Sequence, residues 1–257
     1  MKSVLTLLNR RRRGRELGVK FGRVAVFTLP SQILLQGGPR PVRLPSDKGS
    51  KNAFIDILLD DCYRLQSLPP CIGSVLDVGA HAGLFSLAAR MRWPSARIHA
   101  YEPNPMMQGF VNQQAAIGDF QVFHEAVGFA EGNVSIDLGE DSVHTRTRTN
   151  EKGDISCVAL ATAVSRLGGR VDLIKMDCEG AEWELLQDGT SWNGIKHLAM
   201  EYHLWAGYSI EELKDLIRFR GFDVTAIAVR GEDFGLLFAS RETPGVSNDR
   251  MVRKCAS

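Results

Sequence analysis

Residues Ser74–Ser86 read SVLDVGAHAGLFS, and the order of residue types in this stretch decides the fold. Val75, Leu76 and Val78 form a short apolar run of the kind that suits a buried strand. Asp77 is the one charge inside that run, and Gly79 and Gly83 bracket Ala80, His81 and Ala82. Leu84, Phe85, Leu87, Ala88 and Met91 then fall on one helical face. Strand, glycine turn and helix in this order set a helix N-terminus and bare backbone N–H groups beside a ligand. An ordinary tight turn between strand and helix has the same pattern.

Downstream, Ala96–Tyr101 reads as a second strand ending in Glu102-Pro103-Asn104-Pro105. Asn104 suits an N-cap and Pro105 a first helical position. Glu102 therefore stands at a strand's C-terminal end, 25 residues beyond Asp77. In a doubly wound sheet an acid at that place accepts both hydroxyls of a ribose, because a carboxylate offers two oxygens and no donor. The alternative is a solvent-facing glutamate ahead of a helix. A third strand follows at Phe120–Val127, with Glu125 and Ala126 at its end. Asn133–Leu138 reads as an inserted strand, and Asp141–Gly153, with His144, Arg146 and Arg148 among threonines, as a polar loop.

Ile155–Leu160 resumes a strand and Ala161–Leu167 a short helix. Val171–Met176 is a buried strand that runs into Asp177, Glu179 and Glu182 around Gly180. Glu179 and Glu182 fit the first turn of the next helix, where negative charge is favoured. Asp177 belongs at the end of a central strand, where open α/β sheets bind ligands. His197–His203 is a fifth strand, ending with Glu201 and His203. Ser209 and Glu212 form a capping box for a helix to Arg220. Phe222–Val229 and Phe234–Ala239 close the chain as two adjacent strands.

Three segments divide the chain: 1–70, a basic arm followed by short strands and a helix; 71–240, the α/β domain; and 241–257, a polar tail. The arm carries Arg10–Arg13 and Arg15, the composition of a solvated helix, of a membrane-surface contact or of a transit peptide. Val24–Leu29 and Ile33–Leu35 read as strands and Lys51–Leu65 as a helix stopped by Pro69-Pro70. The 257 residues are 44% hydrophobic, enough for one α/β domain with a sizeable core. A net charge of +1 gives no global argument for a nucleic-acid partner. The five cysteines are scattered, which argues against a disulfide framework or a zinc site and for a reducing, cytoplasmic compartment. No apolar run approaches a membrane span.

The glycine pattern is G-x-x-x-G. His81 and Leu84 stand where a dinucleotide fingerprint needs glycines, so nicotinamide chemistry is disfavoured. VLDVGAHAGLFS, YEPNP, HEAVG, IKMDCEGAE and MEYH, in that order over roughly Val75 to Phe238, resemble the FkbM family of methyltransferases. His81 departs from that family's usual Asn. The resemblance implies a Rossmann-like α/β fold: a doubly wound, mostly parallel seven-stranded sheet with an antiparallel closing hairpin. It implies S-adenosylmethionine (SAM) as cofactor, with Asp77, Gly79, Ala80, His81 and Gly83 around its methionine part. Glu102 would hold the ribose, with Pro103 and Asn104 beside it, and Glu125 and Ala126 would edge the adenine. Asp177 would face the transferring methyl.

The activity implied is O-methylation of a hydroxyl on a small molecule, sugar or glycan. A SAM-binding module acting by interaction and a protein methyltransferase are the alternatives. Asp177, Glu179, Glu201 and His203 are the candidates to orient or deprotonate the acceptor. A divalent cation between Asp177 and Glu201 would lack further evident ligands. Nothing in the sequence sets the oligomeric state.

Overall fold

The computed structural model describes residues 4–21, 28–35, 37–138, 145–149, 153–204 and 207–241. In chain order, the N-terminal segment forms α1 (Val4–Glu16), the hairpin β1 (Gln32–Leu35) and β2 (Gly38–Pro41), and α2 (Lys48–Ala53). Next come β3 (Ser74–Val78), α3 (Leu84–Arg92), β4 (Arg97–Tyr101), α4 (Gln108–Gly118) and β5 (Gln121–Phe123). An insertion contributes β6 (Ala126–Gly128), β7 (Gly132–Leu138), β8 (Thr145–Thr149) and β9 (Ile155–Ala159). The last part holds α5 (Leu160–Arg166), β10 (Val171–Met176), α6 (Glu182–Leu185), β11 (Ile195–His203), α7 (Ile210–Phe219), β12 (Asp223–Val229) and β13 (Phe234–Ser240).

The apolar runs pair into a seven-stranded sheet in the order β12-β13-β11-β10-β3-β4-β5. Strands β11, β10, β3, β4 and β5 are parallel, and β13 is antiparallel to both its neighbours. The expected doubly wound, mostly parallel sheet with a closing hairpin is therefore the observed one. Strand side chains alternate between faces. Val75, Leu173 and Ala199 enter one apolar cluster, while Leu76, Val78, Ile174, Met176 and Met200 enter the other. Central strands buried on both faces need apolar residues in succession, which is why β3 and β10 read as mostly apolar runs, with Asp77 and Lys175 as buried charges inside them. The parallel strands end together, and the glycine turn, Glu102 and Asp177 gather at that edge.

Several elements differ from the sequence expectation. Phe120–Val127 is two strands: β5 closes the main sheet, while β6 joins a second sheet in the order β6-β9-β7-β8. The polar pair His124-Glu125 lies at the break. The supposed loop at 141–153 contains β8, antiparallel to β7; its alternating threonines and arginines have the period of a strand. The helix expected over Lys51–Leu65 is α2 followed by a π-helical turn, Phe54–Leu59. It stops because Asp61 and Arg64 take left-handed backbone, φ 53° and 56°. Glu179 precedes α6 rather than lying in its first turn, and it too is left-handed, φ 55°. Most of Val24–Leu29 and nearly all of the tail lie outside the described residues.

The segment before Cys71 packs into the main core, with Leu17, Ile33, Leu35, Phe54 and Leu58 in the same cluster as Val75 and Phe85. Two arginines of the basic arm are engaged there. Arg10 forms a two-pronged pair with Asp60, and Arg13 lies 3.6 Å from Asp61. Arg11, Arg12 and Arg15 stay exposed. Cys71 is disulfide-bonded, which corrects the picture of scattered unpaired thiols; Cys62, Cys157 and Cys178 are free.

Candidate functional site

The glycine turn is shaped by a close approach. Gly79 has φ +75°, and a Cβ there would stand 1.9 Å from the Asp177 carbonyl oxygen, so no other residue fits between the strand ends. The N–H groups of Gly79 and Ala80 both donate to the Tyr101 carbonyl, at 3.1 and 2.9 Å. His81 follows with φ +50°. Asn and His are among the few side chains enriched in that left-handed region, which is a physical reason why histidine can stand at the motif position resembling Asn. Gly83, φ +79°, packs behind the turn against Gln114 and Phe120.

Glu102 is 6% exposed and is held by backbone. The His81 N–H donates to its Oε2 at 2.6 Å and the Asn104 N–H to its Oε1 at 2.8 Å. Burial pushes this carboxyl up to about 7, and the two backbone donors work against that rise. Asn104 caps the short turn after it, accepting from the Met106 N–H at 2.9 Å.

Beneath the turn lies a buried pair that the motifs alone do not reveal. Asp77 and Lys175 face each other across β3 and β10. Asp77 is fully buried; it accepts from the Ser86 hydroxyl at 2.7 Å and lies 3.3 Å from Lys175 Nζ. Burial opposes the Lys175 charge, but Asp77 and Asp177 together raise its pKa. Lys175 Nζ also lies 3.7 Å from Asp177 Oδ2, and the Tyr63 hydroxyl donates to that same oxygen at 2.9 Å. Burial, then Asp177, holds the Tyr63 phenol well above its ordinary pKa, so it keeps its proton and donates.

A second cluster surrounds His203, which is 4% exposed. Its Nδ1 lies 3.4 Å from Glu182, and its Nε2 lies 3.8 Å from Glu179 and 3.9 Å from Glu201. Burial opposes a charged ring, but Glu182, Glu179 and Asp177 outweigh it and raise His203 to about 9. Burial and the neighbouring Asp177 raise Glu179 to about 8 and Glu201 to about 7. Glu182 accepts the N–H groups of Cys178 and Gly180, at 3.0 and 2.9 Å, and so shapes the turn that carries Glu179. Among the described residues no group of His, Cys, Asp and Glu could hold a metal ion.

These parts border a cleft of about 120 Å³ at the strand ends. Of the expected residues, Gly79, Ala80, His81, Glu102, Pro103, Glu125, Ala126, Asp177 and Glu179 line it. Asp77, Gly83, Asn104, Glu201 and His203 do not. Asp77 is turned into the sheet toward Ser86 and Lys175, beneath the turn rather than on the cleft wall. Gly83 and Asn104 support the turn and Glu102 from behind. Glu125 is tied to Arg166, whose guanidinium lies over the Phe123 ring. Ala53 and Ile57 reach the cleft from the N-terminal segment.

Two residues escaped the sequence reading. Lys175 was signalled: like Asp77, it is a charge inside an apolar strand, and two such strands side by side imply a buried pair. Tyr63 was not, because it sits in an irregular turn 114 residues from its partner.

Comparison with known proteins adds the following. The family model described as "Methyltransferase FkbM domain" matches residues 77–224. "Methyltransferase sdnD" of Sordaria araneosa is 25% identical over 214 residues, 67% of this chain and 82% of the relative. "31-O-demethyl-FK506 methyltransferase FkbM" of Streptomyces tacrolimicus is 26% identical, again over 67% of this chain and 82% of the relative. Among solved structures, magnesium protoporphyrin IX methyltransferase (ChlM) from Synechocystis PCC 6803 with bound SAM matches with TM-score 0.47 and 14% identity, covering 78% of this chain and 86% of that one.

Proposed function

The chain belongs to the FkbM methyltransferase family and is a SAM-dependent methyltransferase, and from that premise we propose that it methylates a hydroxyl on a small molecule, sugar or glycan. The cleft fits SAM by its donor set. Glu102 spends two of a carboxylate's roughly four lone-pair positions on backbone N–H groups, and the others suit a vicinal diol. Burial raises this carboxyl to about 7, and the diol's two hydroxyls would donate to its ionised form and favour it. Gly79, Ala80 and His81 would border the methionine part, and Pro103, Glu125 and Ala126 the nucleoside. SAM supplies an activated methyl group on a sulfonium.

The chain's own task is to orient the acceptor and receive its proton. One observation carries the assignment of that task to Asp177: Tyr63 and Lys175 both approach Oδ2, and no described donor occupies Oδ1 of this cleft-lining carboxylate. A held carboxylate suits a hydroxyl acceptor, which benefits from a base. Glu201, near 7, is poised to accept a proton at neutral pH. His203 is not, because near 9 it already carries one; we assign it the balancing of Glu179, Glu182 and Glu201 rather than the role of base. The relative named a 31-O-demethyl-FK506 methyltransferase supports oxygen as the acceptor atom. The free thiols of Cys62, Cys157 and Cys178 suit a cytoplasmic setting, and the disulfide at Cys71 an oxidising one.

Calorimetric titration with SAM, its demethylated product and NADH, repeated on Glu102→Ala, tests the cofactor site. Micromolar binding of the first two alone, lost in the variant, is expected. Turnover of labelled SAM is then measured with a panel of hydroxylated compounds and with extract proteins. Label entering protein alone overturns the small-molecule reading.

A further inference from the structure

We propose that Lys175 is a positioning residue that locks one peptide of the cofactor turn and couples it to Asp177. The inference rests on the SAM reading above. Lys175 Nζ donates to the Gly79 carbonyl and lies 3.5 Å from the Val78 carbonyl. The Gly79 carbonyl and the Ala80 N–H belong to one peptide group. That N–H donates to the Tyr101 carbonyl on β4, at 2.9 Å. The peptide is therefore pinned at both ends, by a side chain of β10 on one side and by the backbone of β4 on the other.

A glycine turn needs such a pin. Gly79 has φ +75° and no Cβ to restrict it, so its peptide can rotate unless both ends are held. The next peptide sends the His81 N–H to Glu102 at 2.6 Å. Rotation of the Gly79–Ala80 peptide would thus disturb the carboxylate that faces the ribose. Balance of charge alone does not explain this reach, since Asp77 lies directly across the sheet. Lys175 Nζ lies 5.8 and 6.0 Å from the ring centroids of Tyr63 and Phe85, and these rings pack edge to face at 5.2 Å. The two packed rings flank the ammonium, which reaches Asp77, the Gly79 carbonyl of the turn and Asp177.

Lys175→Met alone leaves Asp77 buried without its cation and can fail for that reason. The deciding variant is the neutral pair Asp77→Asn with Lys175→Met, which removes both charges and keeps both shapes. Its fold is read by circular dichroism and thermal unfolding, its SAM affinity by calorimetry, and the turn by hydrogen exchange over residues 78–83. A cooperative fold, SAM affinity at least tenfold weaker and faster exchange in the turn are expected. A pair variant that binds SAM as the wild type does, or that does not fold, overturns the proposal, because Lys175 then serves only the core. Wild-type protein that folds but binds no SAM would instead defeat the cofactor assignment itself.

Discussion

At Asp177, two donors approach the same oxygen, so exchanging the carboxylate for an amide keeps the shape and deletes the proton acceptor. Asp177→Asn is expected to bind SAM like the wild type and to turn over about 10²–10⁴ times more slowly. Calorimetry and labelled-SAM turnover check it, and full turnover with cofactor bound would remove Asp177 from the chemistry. Gly79 makes the opposite point. Gly79→Ala adds a Cβ 1.9 Å from a backbone oxygen and forces alanine into φ +75°. A loss of more than about 3 kcal/mol is expected from clash and strain together, read as a lowered urea midpoint. Both residues were legible because strand-end acids and turn glycines are recognisable by position. Asp77 and Lys175 were each legible as a charge inside an apolar strand, but their pairing was not settled by either strand alone, since it depends on β3 and β10 lying side by side in this register.

Elements were readable wherever local pattern and tertiary environment agree. Helix α7 is the plainest case: Ser209 accepts from the Glu212 N–H, and Glu212 accepts from the Ser209 N–H. Ser209→Ala is expected to cost about 1 kcal/mol in urea unfolding with no change in SAM affinity; a change within error would mean that α7 is held by its packed face alone. The pattern failed where pairing partners decide. Nothing local in Phe120–Val127 says that its two halves join different sheets. In Lys51–Leu65 the apolar spacing continues past Asp60, but the backbone leaves the helix at Asp61, whose carboxylate accepts the Leu65 and Gln66 N–H groups. That irregular turn delivers Tyr63 to Asp177, so the element least readable from sequence is one that completes the site.

For the whole molecule, the topology concentrates unusual protonation at one sheet edge, and stability must follow pH accordingly. Glu102 and Glu201, near 7, and Glu179, near 8, all lie above the ordinary 4.5, and His203, near 9, lies above 6.5. In each case the folded chain keeps a proton that the unfolded chain has already lost. Stability therefore falls as pH rises through these intervals, because the native state binds more protons. The stabilisation is fully present below the unfolded values and is lost through the folded ones, from about pH 4.5 to 8 for the carboxyls and from 6.5 to 9 for the histidine. Asp172 and Asp188 are shifted downward, by the Lys196 partner and by the Ser191 and Thr190 donors that outweigh burial, and they act only in more acid solution. The unliganded protein is expected to have its highest Tm near pH 5 and to lose at least about 5 °C by pH 9. Scanning calorimetry across that range measures it, and Glu179→Gln should flatten the slope by removing one of the four groups. A Tm that climbs between pH 6 and 9 would mean that these carboxyls ionise freely in the folded state, and that the crowding around His203 does not govern their protons.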